Sequence, residues 1–107
     1  MKEMTIQEQS ILLSVAHLKE KACLLGIRDR IRRVTGKEYA LGTIYVPLER
    51  LRRMGFLNAR LVKPAPRVGG RSTKYYTLTR AGREALTRMK AIQDRLWRGF
   101  TADIPCE

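Results

Sequence analysis

Apolar residues recur at three-and-four spacing near the start of the chain, at Ile6, Ile11, Leu12, Val15, Ala16 and Leu18. That period gathers most of them on one face and predicts a first helix over residues 5–18. The charged run Lys19-Glu20-Lys21 breaks the pattern, and Leu24, Ile27, Ile31 and Val34 then form a second stripe over residues 22–34. Gly36 reads as its stop, because glycine takes a left-handed cap without steric cost. Tyr39 and Ala40 suggest a short strand. A third helix follows from Thr43 to about residue 54, capped by Gly42 or Thr43, with Ile44, Leu48 and Leu51 facing inward.

Pro47 lies inside that third helix, where an interior proline costs about 3 kcal/mol. With a start at Thr43 or Ile44 it falls at the end of the first turn, where most backbone donors lack helical partners in any case. A tight or slightly irregular start is therefore expected, with no break in the middle.

Past Gly55 the period shortens. Residues 56–63 and 73–78 read as two strands, joined by a loop that contains Pro64, Pro66, Gly69 and Gly70. Thr79 is placed to cap a last helix over residues 80–98, although Gly82 weakens its first turn by roughly 1 kcal/mol relative to alanine. The order of three helices, a hairpin and a final helix is an α+β fold, mostly α: a winged helix-turn-helix at residues 5–78 with a C-terminal helix at 79–98.

Charge adds the next constraint. The 22 Lys and Arg against 10 Asp and Glu give a formal net charge of +12, which favours a polyanionic partner. The third helix carries Arg50, Arg52 and Arg53, with Glu49 and Thr43, away from its apolar face. A basic third helix after a short turn is how a helix-turn-helix presents a reading element to the major groove. Arginine suits the task, since its planar fork meets two acceptors on guanine or grips a phosphate. Solvation of an exposed face explains any single one of these arginines equally well. Lys63, Arg67, Arg71 and Lys74 surround Gly69-Gly70 with no acid among them, as in a wing that lies on the phosphate backbone or enters a minor groove.

The last helix brings Ala85, Met89, Ile92 and Leu96 into a narrow seam like that of a coiled coil, with Leu86, Gln93 and Trp97 on a neighbouring stripe. A helix of about nineteen residues is about 28 Å long, more than a small domain can cover. Pairing with a second copy is the simplest cover. Trp97, the single tryptophan, packs at such an interface or lines an apolar opening between subunits where a flat aromatic effector stacks.

Other classes fit less well. His17 is the sole histidine, with no acid or nucleophile at triad or metal spacing, so neither an enzyme nor a metal or cofactor is expected. Cys23 and Cys106 belong to no ligand motif. The longest apolar run, Ile11-Leu12-Leu13, is far too short to span a membrane, and the absence of a signal-like start points to the cytoplasm. The rival to duplex DNA is a basic winged-helix module that binds RNA or another protein. Single-strand platforms need several exposed aromatics, and aromatic residues make up 7% of this chain, so duplex DNA ranks higher.

Leu41-Gly42-Thr43-Ile44-Tyr45 running into Leu48-Glu49-Arg50-Leu51 and Gly55-Phe56-Leu57 forms one half of a recognisable pattern. Gly70-Arg71, Lys74-Tyr75-Tyr76-Thr77-Leu78-Thr79 and Ala81-Gly82 form the other. Over roughly residues 9–86 the chain resembles PadR-like transcriptional regulators, in the short subtype with a single terminal helix. The resemblance implies a bacterial repressor, less often an activator, that binds palindromic operators as a homodimer held by C-terminal helices. It also implies DNA-side roles for Tyr45 and Tyr75, and an aromatic effector near Trp97 as in some short members. Of the pair Tyr75 and Tyr76, one ring faces inward and one outward. The chain departs from the pattern in having Val46 between Tyr45 and Pro47, and Leu25-Gly26-Ile27 where a Gly-Tyr pair is common.

Overall fold

The computed structural model describes residues 4–64 and 72–101. Helix α1 (Ile6–Leu18) is followed by a 3-10 turn (Lys19–Lys21), α2 (Leu24–Thr35) and α3 (Leu41–Arg53). Strands β1 (Leu57–Val62) and β2 (Thr73–Leu78) then form an antiparallel hairpin, and α4 (Arg80–Trp97) closes the order. The α+β, mostly helical class read from the sequence is the one observed.

The start of α1 follows from Thr5-x-x-Glu8. The Thr5 hydroxyl accepts from the Glu8 amide at 3.0 Å while the Thr5 amide donates to Glu8 Oε1 at 2.9 Å, a capping box that satisfies two otherwise unpaired donors. Gly36 ends α2 as expected, at φ 77, with its amide on the Arg32 carbonyl at 2.8 Å. One core joins Ile11, Leu12 and Val15 of α1 to Ile27 and Ile31 of α2, to Ile44, Leu48 and Leu51 of α3, and to Leu57 and Tyr76 of the hairpin.

Four local expectations need correction. Tyr39 and Ala40 do not form a strand: Ala40 is extended, but its carbonyl accepts from the Thr43 and Ile44 amides and so starts α3 by backbone alone. Neither Gly42 nor Thr43 is the cap, since both already lie inside the helix. Because α3 begins at Leu41, Pro47 falls in its second turn and not at the end of the first. The helix runs without a break around it, with the ring buried against the core and the lost backbone bond falling on exposed Thr43. Likewise α2 begins at Leu24, because Ala22 and Cys23 pair with β2 instead. The Tyr76 amide donates to the Ala22 carbonyl at 2.8 Å, and Cys23 bridges to Tyr75.

The junction between hairpin and α4 is tight. Thr79 caps α4 by accepting from the Gly82 amide at 3.0 Å, donates its hydroxyl to the Gly55 carbonyl at 2.6 Å, and places its own amide on the Phe56 carbonyl at 3.1 Å. A Cβ on Gly82 would stand 2.4 Å from that same Phe56 oxygen and 2.8 Å from Leu78 Cδ1. The propensity penalty of Gly82 is thus the condition for close packing of α4 on the turn after α3.

Candidate nucleic-acid interface and pairing surface

Successive α3 residues rotate by about 100°, so with Ile44, Pro47, Leu48 and Leu51 packed inward, Gly42, Val46 and Arg53 point directly away from the core. Thr43 lies on one flank of that outward face and Tyr45 on the other, both exposed. The remaining charged residues of α3 are engaged by neighbouring elements or by one another. Arg50 turns toward α1, where its Nε lies 3.5 Å from Glu8 Oε2 and is buried without a hydrogen-bond partner among the described residues.

Glu49 is not solvated as its place in the sequence suggested. It is 8% exposed and sits in the crevice between α3 and β2. Arg52 donates Nε to its Oε1 at 3.0 Å and adds a second guanidinium nitrogen at 2.9 Å. The Tyr76 hydroxyl donates to Oε2 at 2.5 Å, and Lys74 Nζ stands 3.4 Å from the same oxygen. Burial alone would raise the Glu49 pKa, but the hydrogen bonds from Tyr76 and Arg52 and the charges of Lys74 and Arg52 outweigh it and hold the carboxyl below its ordinary value. Burial, with the same contact added, pushes the Tyr76 phenol well up. Among the described residues, Arg53 is the α3 arginine without a carboxylate at ion-pair distance.

The hairpin resolves the tyrosine pair. Ala59 opposes Tyr76 and Arg60 opposes Tyr75, and the alternation sends Tyr76 into the core and Tyr75 outward. The Arg60 guanidinium lies over the Tyr75 ring at 5.3 Å, a cation–π contact that sequence reasoning missed. Lys63 is exposed just past β1. Arg67 and Arg71, expected at the wing tip, lie outside the described residues, as does Cys106.

On the other side of the molecule, Ala85 is buried while Ile92, Leu96 and Trp97 are 48%, 76% and 65% exposed. Met89 is half-buried. The α4 seam forms one wall of an apolar groove of about 320 Å³, with Met4, Met54 and Phe56 on the other. Trp97 stands outside this groove and packs edge-on against Phe100, with ring centroids 5.4 Å apart. His17 is exposed, and no helix among the described residues is long and apolar enough to cross a membrane.

Three helices, a hairpin laid beside the third, and a long final helix docked by its first turns define a winged helix-turn-helix protein. The PadR-like family of transcriptional regulators matches residues 12–88, and the chain belongs to that family. The family and the fold are those of transcription regulators, not of enzymes. The structure is similar to that of a PadR-like transcription factor from Bacteroides fragilis, with 28% identity, a TM-score of 0.71, and coverage of 83% of this chain and 81% of the other. A PadR family transcription regulator from Clostridium difficile R20291 gives 25% identity and a TM-score of 0.57 over 82% of this chain and 88% of that one. Bacillus subtilis PadR in complex with operator DNA shares the fold at 21% identity and a TM-score of 0.63; 96% of this chain matches 53% of that protein, about half its length. Among curated proteins, none matches the chain.

Proposed function

We propose that the protein is a repressor that binds a palindromic operator in duplex DNA as a homodimer. Residues 5–78 form the DNA-binding domain, and residues 79–98 form the helix through which two copies pair. The observation that carries this reading is the uncovered outer face of α3, with Thr43, Tyr45 and Arg53 exposed beside the hairpin on a chain of net charge +12. In this reading Arg53 reads base edges in the major groove, with Thr43 and Tyr45 about 12 to 15 Å along the helix toward its start. Lys63, Tyr75 and the wing-tip Arg67 and Arg71 track the backbone. Arg50, Arg52 and Lys74 are left out of the contact set because carboxylates already hold them.

Pairing through Ala85, Met89, Ile92, Leu96 and Trp97 is supported by the exposure of the last three and by the groove beside them. An aromatic effector would stack at the exposed Trp97 between paired subunits. The bacterial cytoplasm, at the nucleoid when DNA is bound, is the corresponding location.

Selection from randomised duplex DNA, followed by sequencing of the retained fraction, tests the proposal. Enrichment of an inverted repeat is expected. Retention of single-stranded RNA in preference, or enrichment of a single unrepeated half-site, would overturn the operator-dimer reading.

A further inference from the structure

The crevice between α3 and β2 holds more positive charge than the buried acid at its base requires. A buried carboxylate is costly unless its oxygens are occupied, and the Tyr76 hydroxyl with the Arg52 guanidinium already occupies both Glu49 oxygens. Lys74 is drawn in as a second cation. The Arg52 and Lys74 side chains are 39% and 37% exposed, so they stand at the mouth of the crevice and not within it. That mouth lies between the outward face of α3 and the wing strand, where the backbone of a duplex engaged by both would pass.

We propose that Glu49 is a specificity-determining residue: it withholds Arg52 and Lys74 from DNA phosphates and so limits sequence-independent binding. The proposal rests on the duplex-DNA reading above. Phosphate contacts supply affinity without sequence information, and each one adds about −0.9 to the log-log dependence of affinity on salt. A chain of net charge +12 is exposed to such binding wherever DNA is present. For Arg52 or Lys74 to commit its charge to a phosphate, it must share or loosen its contact with the buried Glu49 carboxylate, and that loss opposes the exchange. Arg53 has no such tether among the described residues and stays available to base edges.

The test measures affinity for a random-sequence duplex across a salt series. Glu49→Gln keeps an acceptor for the Tyr76 hydroxyl but removes the charge that holds the two cations. The variant should bind random duplex more tightly at low salt. Its slope should steepen by up to two contacts, so that a fourfold rise in salt costs it about 12-fold more affinity than wild type. A merely structural role for Glu49 would weaken binding without steepening the slope, and an unchanged or shallower slope overturns the proposal. Lys74→Gln gives a reading that does not depend on the Glu49 variant: in the wild-type background it should leave the slope unchanged. A slope shallower by about one contact would show that Lys74 already reaches phosphate, and would likewise overturn the proposal. Wild-type protein that binds duplex with no salt dependence would instead sink the DNA reading itself, and this inference with it.

Discussion

The two halves of α4 have the same apolar seam and opposite fates. In the first half Thr79 is bonded to the turn after α3, Gly82 presses on the Phe56 carbonyl, and Ala85 is buried. In the second half Gln93 still hydrogen-bonds Gln9 of α1 at 3.1 Å, but Ile92 and Leu96 continue the seam 48% and 76% exposed, and Trp97 meets only its neighbour Phe100 among aromatic rings described. One regular helix thus serves folding at one end and offers a surface at the other. Burial, and not helical pattern, separates the two roles.

The contrast predicts mutations that divide cleanly between association and folding. The largest effect is expected for Ile92→Glu, since a charge buried at a symmetric interface costs about 2 kcal/mol or more per subunit and is incurred twice. Sedimentation should show monomers, and operator affinity should collapse while weak binding to any duplex survives, because the two half-sites lose their shared effective concentration. Folding of each chain should scarcely change, Ile92 being half-exposed within it. A dimer with normal operator affinity would place the pairing surface elsewhere.

Gly82→Ala should do the reverse. Overpacking against a backbone oxygen costs about 3 kcal/mol, offset by about 1 kcal/mol of helix propensity, for a net loss of about 2 kcal/mol in urea unfolding of a monomeric background. Thr79→Ala removes both the cap and the bond to Gly55, and about 1 kcal/mol of stability should go with them. Lys90→Ala breaks an exposed pair with Asp94 at 2.8 Å and should change the unfolding free energy by less than about 0.5 kcal/mol. If Lys90→Ala proved as damaging as Gly82→Ala, the division of α4 into a docked and a largely exposed half would be wrong.

Much of the fold was legible because its signals are local. The β2 boundaries, the Thr79 cap and the Gly36 stop all depend on residues within a turn of one another. The start of α3 was misread because Gly42 and Thr43 are good cap residues by type, whereas the Ala40 carbonyl does the work and has no side-chain signature. The Ala22 pairing with Tyr76 was hidden for another reason: it joins segments far apart in sequence, and the helical stripe of α2 extends plausibly back through Ala22. The outward face of α3 was predictable from its period. The ion pairs along its edges were not, since Glu8 and Lys74 reach it from α1 and β2. Only the spacing of Glu49 and Arg52, one turn apart, carried a local hint.

The bonds of Thr79 to Gly55 and Phe56 have a mechanical consequence. They clamp the base of α4 to the end of the helix that faces outward for DNA, so α4 is a lever with its fulcrum at that turn. In a paired protein the angle at which the two levers cross becomes the setting of a caliper whose jaws are the two α3 helices. Successive major grooves on one side of a duplex lie about 34 Å apart, and a tilt of the levers opens or closes the jaws against that fixed gauge.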